Sequence, residues 1–209
     1  MQDDYTHKSI LIKEHIVHDF TSLNLFQLEK TFDKFKDDKN NRTLSFIAYY
    51  NRTVLDKERI RFGEFKQQWA IQGMTRKFYT FFDENFDRLK EEIRKERNIR
   101  KFYETYCCTY RREGSFCSKL FHTVLPAEFP PVDNPIKKKF NLQKEEFIDS
   151  VLIIKEGYGL FIKENPELIG GIRTILSRKK FAYLRINELS DIRILDMYYW
   201  FKENRDKVS

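Results

Sequence analysis

One long stretch, residues 75–98, most constrains the fold of this chain. Thr75 at its start is a residue type that often caps a helix N-terminus. Apolar side chains then recur every three or four positions, at Phe78, Phe82, Phe86, Leu89 and Ile93. This spacing places them on one face of an α-helix and leaves the charged residues on the other faces. The stretch therefore predicts a long amphipathic helix that joins two parts of the molecule.

Residue types that form turns are scarce in the rest of the chain. The 209 residues include only 7 Gly and 5 Pro, too few for a many-stranded sandwich or barrel. With 20 Phe and 11 Tyr, the core is expected to be rich in phenylalanine. The sequence predicts an all-α protein, a helical bundle of two packed lobes. Beyond 75–98, helices are expected at 23–36, 43–55, 64–72, 99–110, 115–125 and 143–163, with a last helix capped by Ser190.

The excess positive charge lies entirely in the second half of the chain. Residues 1–92 hold 16 Lys and Arg against 16 Asp and Glu, whereas residues 93–209 hold 23 against 16. We therefore predict a neutral N-terminal lobe over 1–92 and a basic C-terminal lobe over 93–209, or one domain that contains both. Residues 173–185 carry five basic side chains and no acidic one. Such a concentration is typical of a polyanion-binding face and also of an ordinary solvated helix face.

Several common kinds of site are disfavoured. The chain has no GxGxxG, P-loop, HExxH or CxxC pattern. Cys108, Cys117 and His122 lack a fourth partner for a structural zinc site, so no metal or cofactor is expected. The N-terminus lacks the pattern of a secretory signal, and no apolar run is long enough to span a bilayer. We expect a cytoplasmic protein with free thiols and no membrane association.

The segment 115–142 least resembles generic helical sequence. A predicted helix that bears Lys119 and His122 is followed by a proline-rich loop that ends at Asp133. Asn134-Pro135 then predicts a new helix with Asn134 as its N-cap, and three lysines follow. This order indicates an anion beside a phosphate-attracting surface. The alternative reading makes Asp133 a helix-capping carboxylate, Lys119 a surface lysine and His122 a histidine packed under the loop.

The residues Pro131-Val132-Asp133-Asn134-Pro135-Ile136 resemble the P-V-D-x-x-[IV] stretch of the helix-hairpin-helix base-excision DNA glycosylases. The resemblance implies that Asp133 is the catalytic aspartate, which stabilises positive charge on the sugar of a flipped nucleotide. It implies that Lys119 corresponds to the lysine that bifunctional members use as a Schiff-base nucleophile. The L-P-G-[VI]-G hairpin of that family is absent here, and Pro135 replaces its usual histidine.

A second resemblance lies in the last predicted helix. Leu195-Asp196 and Trp200 form an L-D-x-x-x-W pattern similar to that of bacterial all-α proteins without a known activity. This resemblance implies a fold and no chemistry.

Three functions stay open from the sequence. The first is nucleic-acid binding, to DNA rather than RNA, through phosphate contacts of Lys137, Lys138, Lys139, Arg173, Arg178, Lys179, Lys180 and Arg185. The second is a DNA glycosylase-like or lyase-like enzyme, which requires Asp133 and Lys119 to face one open pocket. The third is a protein-interaction module, for instance in phage defence, with Tyr198, Tyr199 or Trp200 exposed as a patch.

Overall fold

A computed structural model describes residues 2–22, 25–33, 42–108 and 113–203. These residues form helices and no β-strand, which confirms the all-α prediction. The α-helices are α1 (Gln2–Thr21), α2 (Leu25–Asp33), α3 (Arg42–Tyr50), α4 (Phe62–Gln68), α5 (Arg76–Glu96), α6 (Ile99–Phe102), α7 (Gly114–Val124), α8 (Asn134–Lys139), α9 (Phe147–Glu164), α10 (Pro166–Leu176) and α11 (Asp191–Glu203). Asn51–Leu55 and Tyr103–Cys107 extend α3 and α6 as π-helical turns, and Lys179–Leu184 and Ile186–Glu188 are 3₁₀ helices.

The long helix α5 confirms the prediction for residues 75–98. The Thr75 hydroxyl accepts a hydrogen bond from the backbone N–H of Phe78 at 3.3 Å, so Thr75 is the N-cap. The buried side chains of α5 are the five predicted ones, Phe78, Phe82, Phe86, Leu89 and Ile93. The helix ends two residues before Asn98 because Arg97 adopts the left-handed conformation, with φ 52°. Asn98 instead caps α6 by accepting from the N–H of Lys101 at 3.0 Å.

The N-terminal helix α1 has no counterpart among the predicted elements. It buries Ile12, Ile16 and Phe20 and packs along α9. Ion pairs of 2.9 Å from Lys8 to Glu145 and from Lys13 to Glu164 flank the contact. The buried positions of α1 are separated by polar residues and histidines, so its apolar stripe is narrow, and the sequence pattern did not reveal it.

Aromatic rings fill the interior, as the composition predicts. The ring of Phe116 on α7 lies edge-on to Phe82 at 4.7 Å and to Phe78 at 5.2 Å, which joins α7 to α5. Buried apolar residues from Ile12 to Tyr199 belong to one hydrophobic cluster that draws on both halves of the chain. The division into two lobes stays a prediction.

The last helix, α11, lies within this core rather than on the surface. The Ser190 hydroxyl accepts from the N–H of Arg193 at 3.2 Å and donates to the carbonyl of Pro126 at 2.6 Å, so the predicted cap also ties α11 to the proline-rich loop. Tyr198 and Tyr199 are buried and Trp200 is half-buried. The two tyrosines therefore form no exposed aromatic patch. Within the described ranges, no helix combines the length and the apolar character that crossing a bilayer requires.

Candidate functional site

Asp133 lies where the proline-rich loop meets α8. Its Oδ1 accepts a hydrogen bond from the N–H of Ile136 at 3.0 Å, and its backbone is extended, with φ −131°. Asp133 is therefore the N-cap of α8, and the prediction that Asn134 caps this helix is wrong. A carboxylate suits this position because it accepts a hydrogen bond from an N–H group of the first turn, and its negative charge interacts favourably with the positive end of the helix dipole.

Lys119 lies on α7, beside the loop that carries Asp133. The Ser118 hydroxyl donates to the carbonyl of Val132 at 2.9 Å, which fixes the loop against this turn of α7. The half-buried Lys119 amine donates to the carbonyl of Trp69 at 3.2 Å. Burial lowers the pKa of Lys119, and the negative charges of Asp133 and Asp196 partly oppose that change. The tertiary structure thus brings Lys119 and Asp133 within electrostatic range of each other.

His122, one turn after Lys119, is completely buried. Its Nδ1 lies 2.6 Å from the carbonyl oxygen of Phe129, and its Nε2 lies 2.9 Å from the hydroxyl of Tyr50. The carbonyl can only accept, so Nδ1 carries the hydrogen and Nε2 accepts from Tyr50. Burial lowers the pKa of His122 to about 3, which keeps the imidazole neutral. This residue is a neutral histidine that holds the loop to α7 and α3.

Arg193 and Asp196 form a buried ion pair on α11, three residues apart. Their exposed fractions are 6% and 2%, and the Arg193 guanidinium lies over the Tyr50 ring at 4.5 Å. Burial raises the pKa of Asp196 to about 7, against the opposing charge of Arg193. The sequence analysis assigns no role to either residue, although two charges one turn apart in the aromatic run of α11 were the available signal. Their interior position depends on long-range packing.

These groups form one cluster, which we call the polar cluster. It consists of Tyr50, His122, Arg193 and Asp196, which contact one another in series, and of Lys119 and Asp133, whose charges act on Asp196. Several of them have displaced pKa values, and such groups concentrate at functional sites in proteins. A shallow apolar groove runs elsewhere, along α9, and includes neither Lys119 nor Asp133.

Three of the predicted phosphate-binding residues contact backbone carbonyls or carboxylates of the chain itself. Lys137 is buried, and its amine donates to the carbonyl of Glu145 at 2.8 Å. Arg173 donates to Asp191 at 2.9 Å and to the carbonyl oxygens of Ile186 and Leu189, both at 2.7 Å. The Lys139 amine lies 3.4 Å from a carboxylate oxygen of Asp19. Lys137 and Arg173 therefore stabilise turns of the chain itself.

Two more predicted phosphate ligands form ion pairs across the surface. Arg185 donates to both oxygens of Asp56, at 2.9 and 2.8 Å, and also pairs with Glu188. Arg178 pairs with Glu29 of α2. A phosphate group at either arginine would compete with these carboxylates. Lys138 and Lys179 are exposed and pair with no carboxylate in the described part of the chain, and the Lys180 side chain lies outside the described residues.

The potential metal ligands do not form a site. Cys117 is buried and Cys108 is exposed. Among the residues that the structure describes, no group of three or more His, Cys, Asp or Glu side chains is arranged to hold a metal ion.

Comparison with known proteins identifies no relative. No family model, no curated protein and no solved structure matches this chain.

Proposed function

We propose that this chain is an enzyme that acts on DNA through the amine of Lys119, as a glycosylase or abasic-site lyase. The groove along α9 includes neither Lys119 nor Asp133, so the proposal requires that DNA binding open access to these two side chains. The observation that carries the proposal is the half-buried position of this amine, which donates to the Trp69 carbonyl and is acted on by the negative charges of Asp133 and Asp196. Burial lowers the pKa of Lys119 and increases the neutral fraction of the amine at a given pH. A neutral amine is what a lysine nucleophile requires.

The groups present are suited to the cleavage of an abasic strand. The neutral Lys119 amine adds to the C1′ aldehyde of the opened deoxyribose, and loss of water leaves a protonated imine. The imine acidifies the hydrogens on C2′, and a carboxylate takes one of them as a proton. The electrons of that C–H bond form a C2′–C3′ double bond, and the 3′ phosphate leaves with the C3′–O bond pair. Water then hydrolyses the imine and releases Lys119.

Asp133 is the carboxylate assigned to the proton transfer. Its Oδ1 is fixed by the N–H of Ile136, and its charge acts on the Lys119 amine. A carboxylate at this position also stabilises positive charge that develops on the sugar during loss of a base. The resemblance of residues 131–136 to the DNA glycosylases supports the same role. The net charge of +7 favours a polyanionic substrate.

Borohydride trapping tests the proposal. The full chain is incubated with end-labelled duplex DNA that contains one abasic site, with sodium borohydride present to reduce an imine to a stable amine. We expect a covalent protein–DNA adduct on a denaturing gel and its loss in Lys119→Gln. Lys155→Gln is the matched control, because burial also lowers the pKa of Lys155, whose amine lies 3.9 Å from the centre of the Phe129 ring.

Two results of the trapping experiment would contradict the proposal. Absence of an adduct with the wild-type chain, or an adduct that persists in Lys119→Gln and is lost in Lys155→Gln, would overturn the assignment. Thermal melting of both variants establishes that they are folded, so that loss of the adduct reports on the amine. A control duplex of the same sequence without an abasic site should give no adduct.

A second candidate function is nucleic-acid binding without chemistry, through surface lysines. It is favoured by the exposure of Lys138 and Lys179, which lie outside ion pairs in the described part of the chain. Each phosphate contact contributes close to one unit to the slope of log affinity against log salt. We would measure the affinity for duplex DNA by fluorescence anisotropy at several salt concentrations. The slope should be smaller by about 1 in Lys138→Gln and in Lys179→Gln than in the wild-type chain. Lys77→Gln, an exposed lysine of the neutral half, should leave the slope unchanged.

A further inference from the structure

The outer face of α9 carries the shallow apolar groove. Leu152 and Leu160 are half-buried there, and Gly159 between them is exposed. A Cβ atom at Gly159 would meet no atom within 4 Å, so the space above this turn of the helix is open. The residues that line the groove all belong to α9: Leu152, Lys155, Glu156, Gly159, Leu160 and Lys163. The helix therefore presents an apolar surface that is accessible to another molecule.

The N-terminal helix α1 borders this groove. The Ser9 hydroxyl donates to Oε2 of Glu156 at 3.1 Å, and the Lys13 amine pairs with Glu164 at 2.9 Å. Ile10 precedes Lys13 by three residues and therefore lies on the same side of α1, where it is 37% exposed. Apolar surface thus extends from α9 onto α1. Contiguous exposed apolar surface marks interaction sites, whereas isolated exposed apolar side chains are ordinary.

The charges along the groove have both signs. Glu156 and Lys163 are exposed and seven residues apart, which is almost two helical turns, so they lie on the same face of α9. Among the residues that the structure describes, neither of them forms an ion pair. The Lys155 amine is directed away from them, because it lies 3.9 Å from the centre of the Phe129 ring. The face therefore offers one negative and one positive charge at its two ends.

We infer that this face of α9 binds the same face of a second copy of the chain, with the two helices antiparallel. A two-fold axis midway between Glu156 and Lys163 places Glu156 of each copy opposite Lys163 of the other. Gly159 lies beside that axis, where the lack of a side chain lets the two backbones approach closely. Leu160 of each copy, next to the axis, is removed from water. The contact has an apolar centre and two equivalent ion pairs.

Charge complementarity favours a second copy over a nucleic acid or a uniformly acidic peptide. Either of those ligands would attract Lys163 but would place negative charge against Glu156. A second copy satisfies both residues, because reversal of the helix direction exchanges their positions. One helix face with a border from α1 is small for a protein interface, so the dimer should form at high protein concentration and dissociate on dilution.

Sedimentation equilibrium of the full chain over a range of concentrations tests the inference. We expect the mass to rise from the 25.5 kDa of one chain towards twice that value. Lys163→Glu brings like charges together at both pairs and should weaken dimerisation by about tenfold or more, and Glu156→Lys should do the same. Both side chains are exposed, so neither change disturbs the core. Lys77→Glu, the same change of charge at an exposed position of α5, should leave the dimer intact.

A mixture of the two groove variants gives the sharpest result. In a heterodimer of Glu156→Lys with Lys163→Glu, each lysine of one chain again faces a glutamate of the other. The mixture should therefore dimerise about as tightly as the wild-type chain, although neither variant does so alone.

Three results would overturn the inference: a wild-type chain with the mass of a monomer at every concentration, a dimer that Lys77→Glu weakens as much as Lys163→Glu, or a mixture that forms no heterodimer. The experiment contains no DNA, so its outcome is independent of the borohydride trapping that tests the proposed enzyme activity.

Discussion

Gly157 of α9 lies directly against Ile12 of α1. A Cβ atom at Gly157 would lie 2.7 Å from Cγ2 of Ile12 and 3.0 Å from the carbonyl oxygen of Ser9. At Gly159, two residues further along α9, a Cβ would meet no atom within 4 Å. The two helices therefore approach closely at one glycine, and the other faces open space.

Substitution by alanine should change the free energy of unfolding in opposite directions at the two glycines. Gly157→Ala must separate the helices and is expected to lower the free energy of unfolding by about 2 kcal/mol. Gly159→Ala should raise it by up to about 1 kcal/mol, since alanine is the better helix former. Urea denaturation of both variants measures the difference. Equal effects at the two positions would contradict the α1–α9 packing.

His122 and Asp196 should make opposite contributions to the pH dependence of stability. The pKa of His122 is about 3 in the fold against a usual 6.5, so only the unfolded chain binds this proton between those values and stability falls with falling pH. The pKa of Asp196 is about 7 against 3.8, so only the folded chain binds that proton and stability rises with falling pH. Each slope is about 1.4 kcal/mol per pH unit, and the two offset each other between about pH 4 and 6.5.

When one of these two titrating groups is removed, the dependence of the free energy of unfolding on pH should show the contribution of the other group alone. In Asp196→Asn, the free energy of unfolding should decrease by about 1.4 kcal/mol for each unit of acidification between about pH 6 and 4. His122→Asn should show the reverse slope. Denaturant titrations at several pH values provide the measurement. A flat profile for Asp196→Asn would show that the fold does not keep His122 neutral.

Arg173 should matter for folding rather than for ligand binding. It is bonded to Asp191 and to the carbonyl oxygens of Ile186 and Leu189, which closes the segment between α10 and α11. Arg173→Met is expected to destabilise the protein by about 3 kcal/mol, because charged hydrogen bonds to partly buried groups are lost. Lys179→Met, at an exposed position of the same basic stretch, should change stability by less than about 0.5 kcal/mol. Comparable melting temperatures for the two variants would contradict this assignment.

The three thiols should differ sharply in reactivity. Cys108 is exposed, whereas Cys107 and Cys117 are buried. Burial and a hydrogen bond with Cys117 raise the pKa of Cys107, which further reduces its thiolate fraction. A chromogenic disulfide reagent should titrate one thiol rapidly in the native protein and all three after denaturation. Cys108→Ser should abolish the rapid phase, and rapid reaction in that variant would contradict the burial of the other two.

Local patterns predicted the helices whose apolar stripes are broad and regular. The helix at 75–98, its Thr75 cap and its five buried residues follow from the spacing of the side chains along the chain. Ser190 was likewise recognisable as a cap. For α8 the sequence allowed two caps, Asn134 and, in the alternative reading, Asp133. Both are good capping residues, and the backbone geometry selects Asp133.

The sequence by itself determined the all-α class and the aromatic core. Only the tertiary structure decided which charges are buried and which are paired. Arg178 and Glu29, or Arg185 and Asp56, lie far apart in the chain and pair only after the helices assemble. Asp196 has a displaced pKa because α11 lies within the core, and a charge is costly to bury wherever water is excluded. Helix periodicity is a local property, whereas burial and electrostatic pairing depend on all the elements that surround a residue.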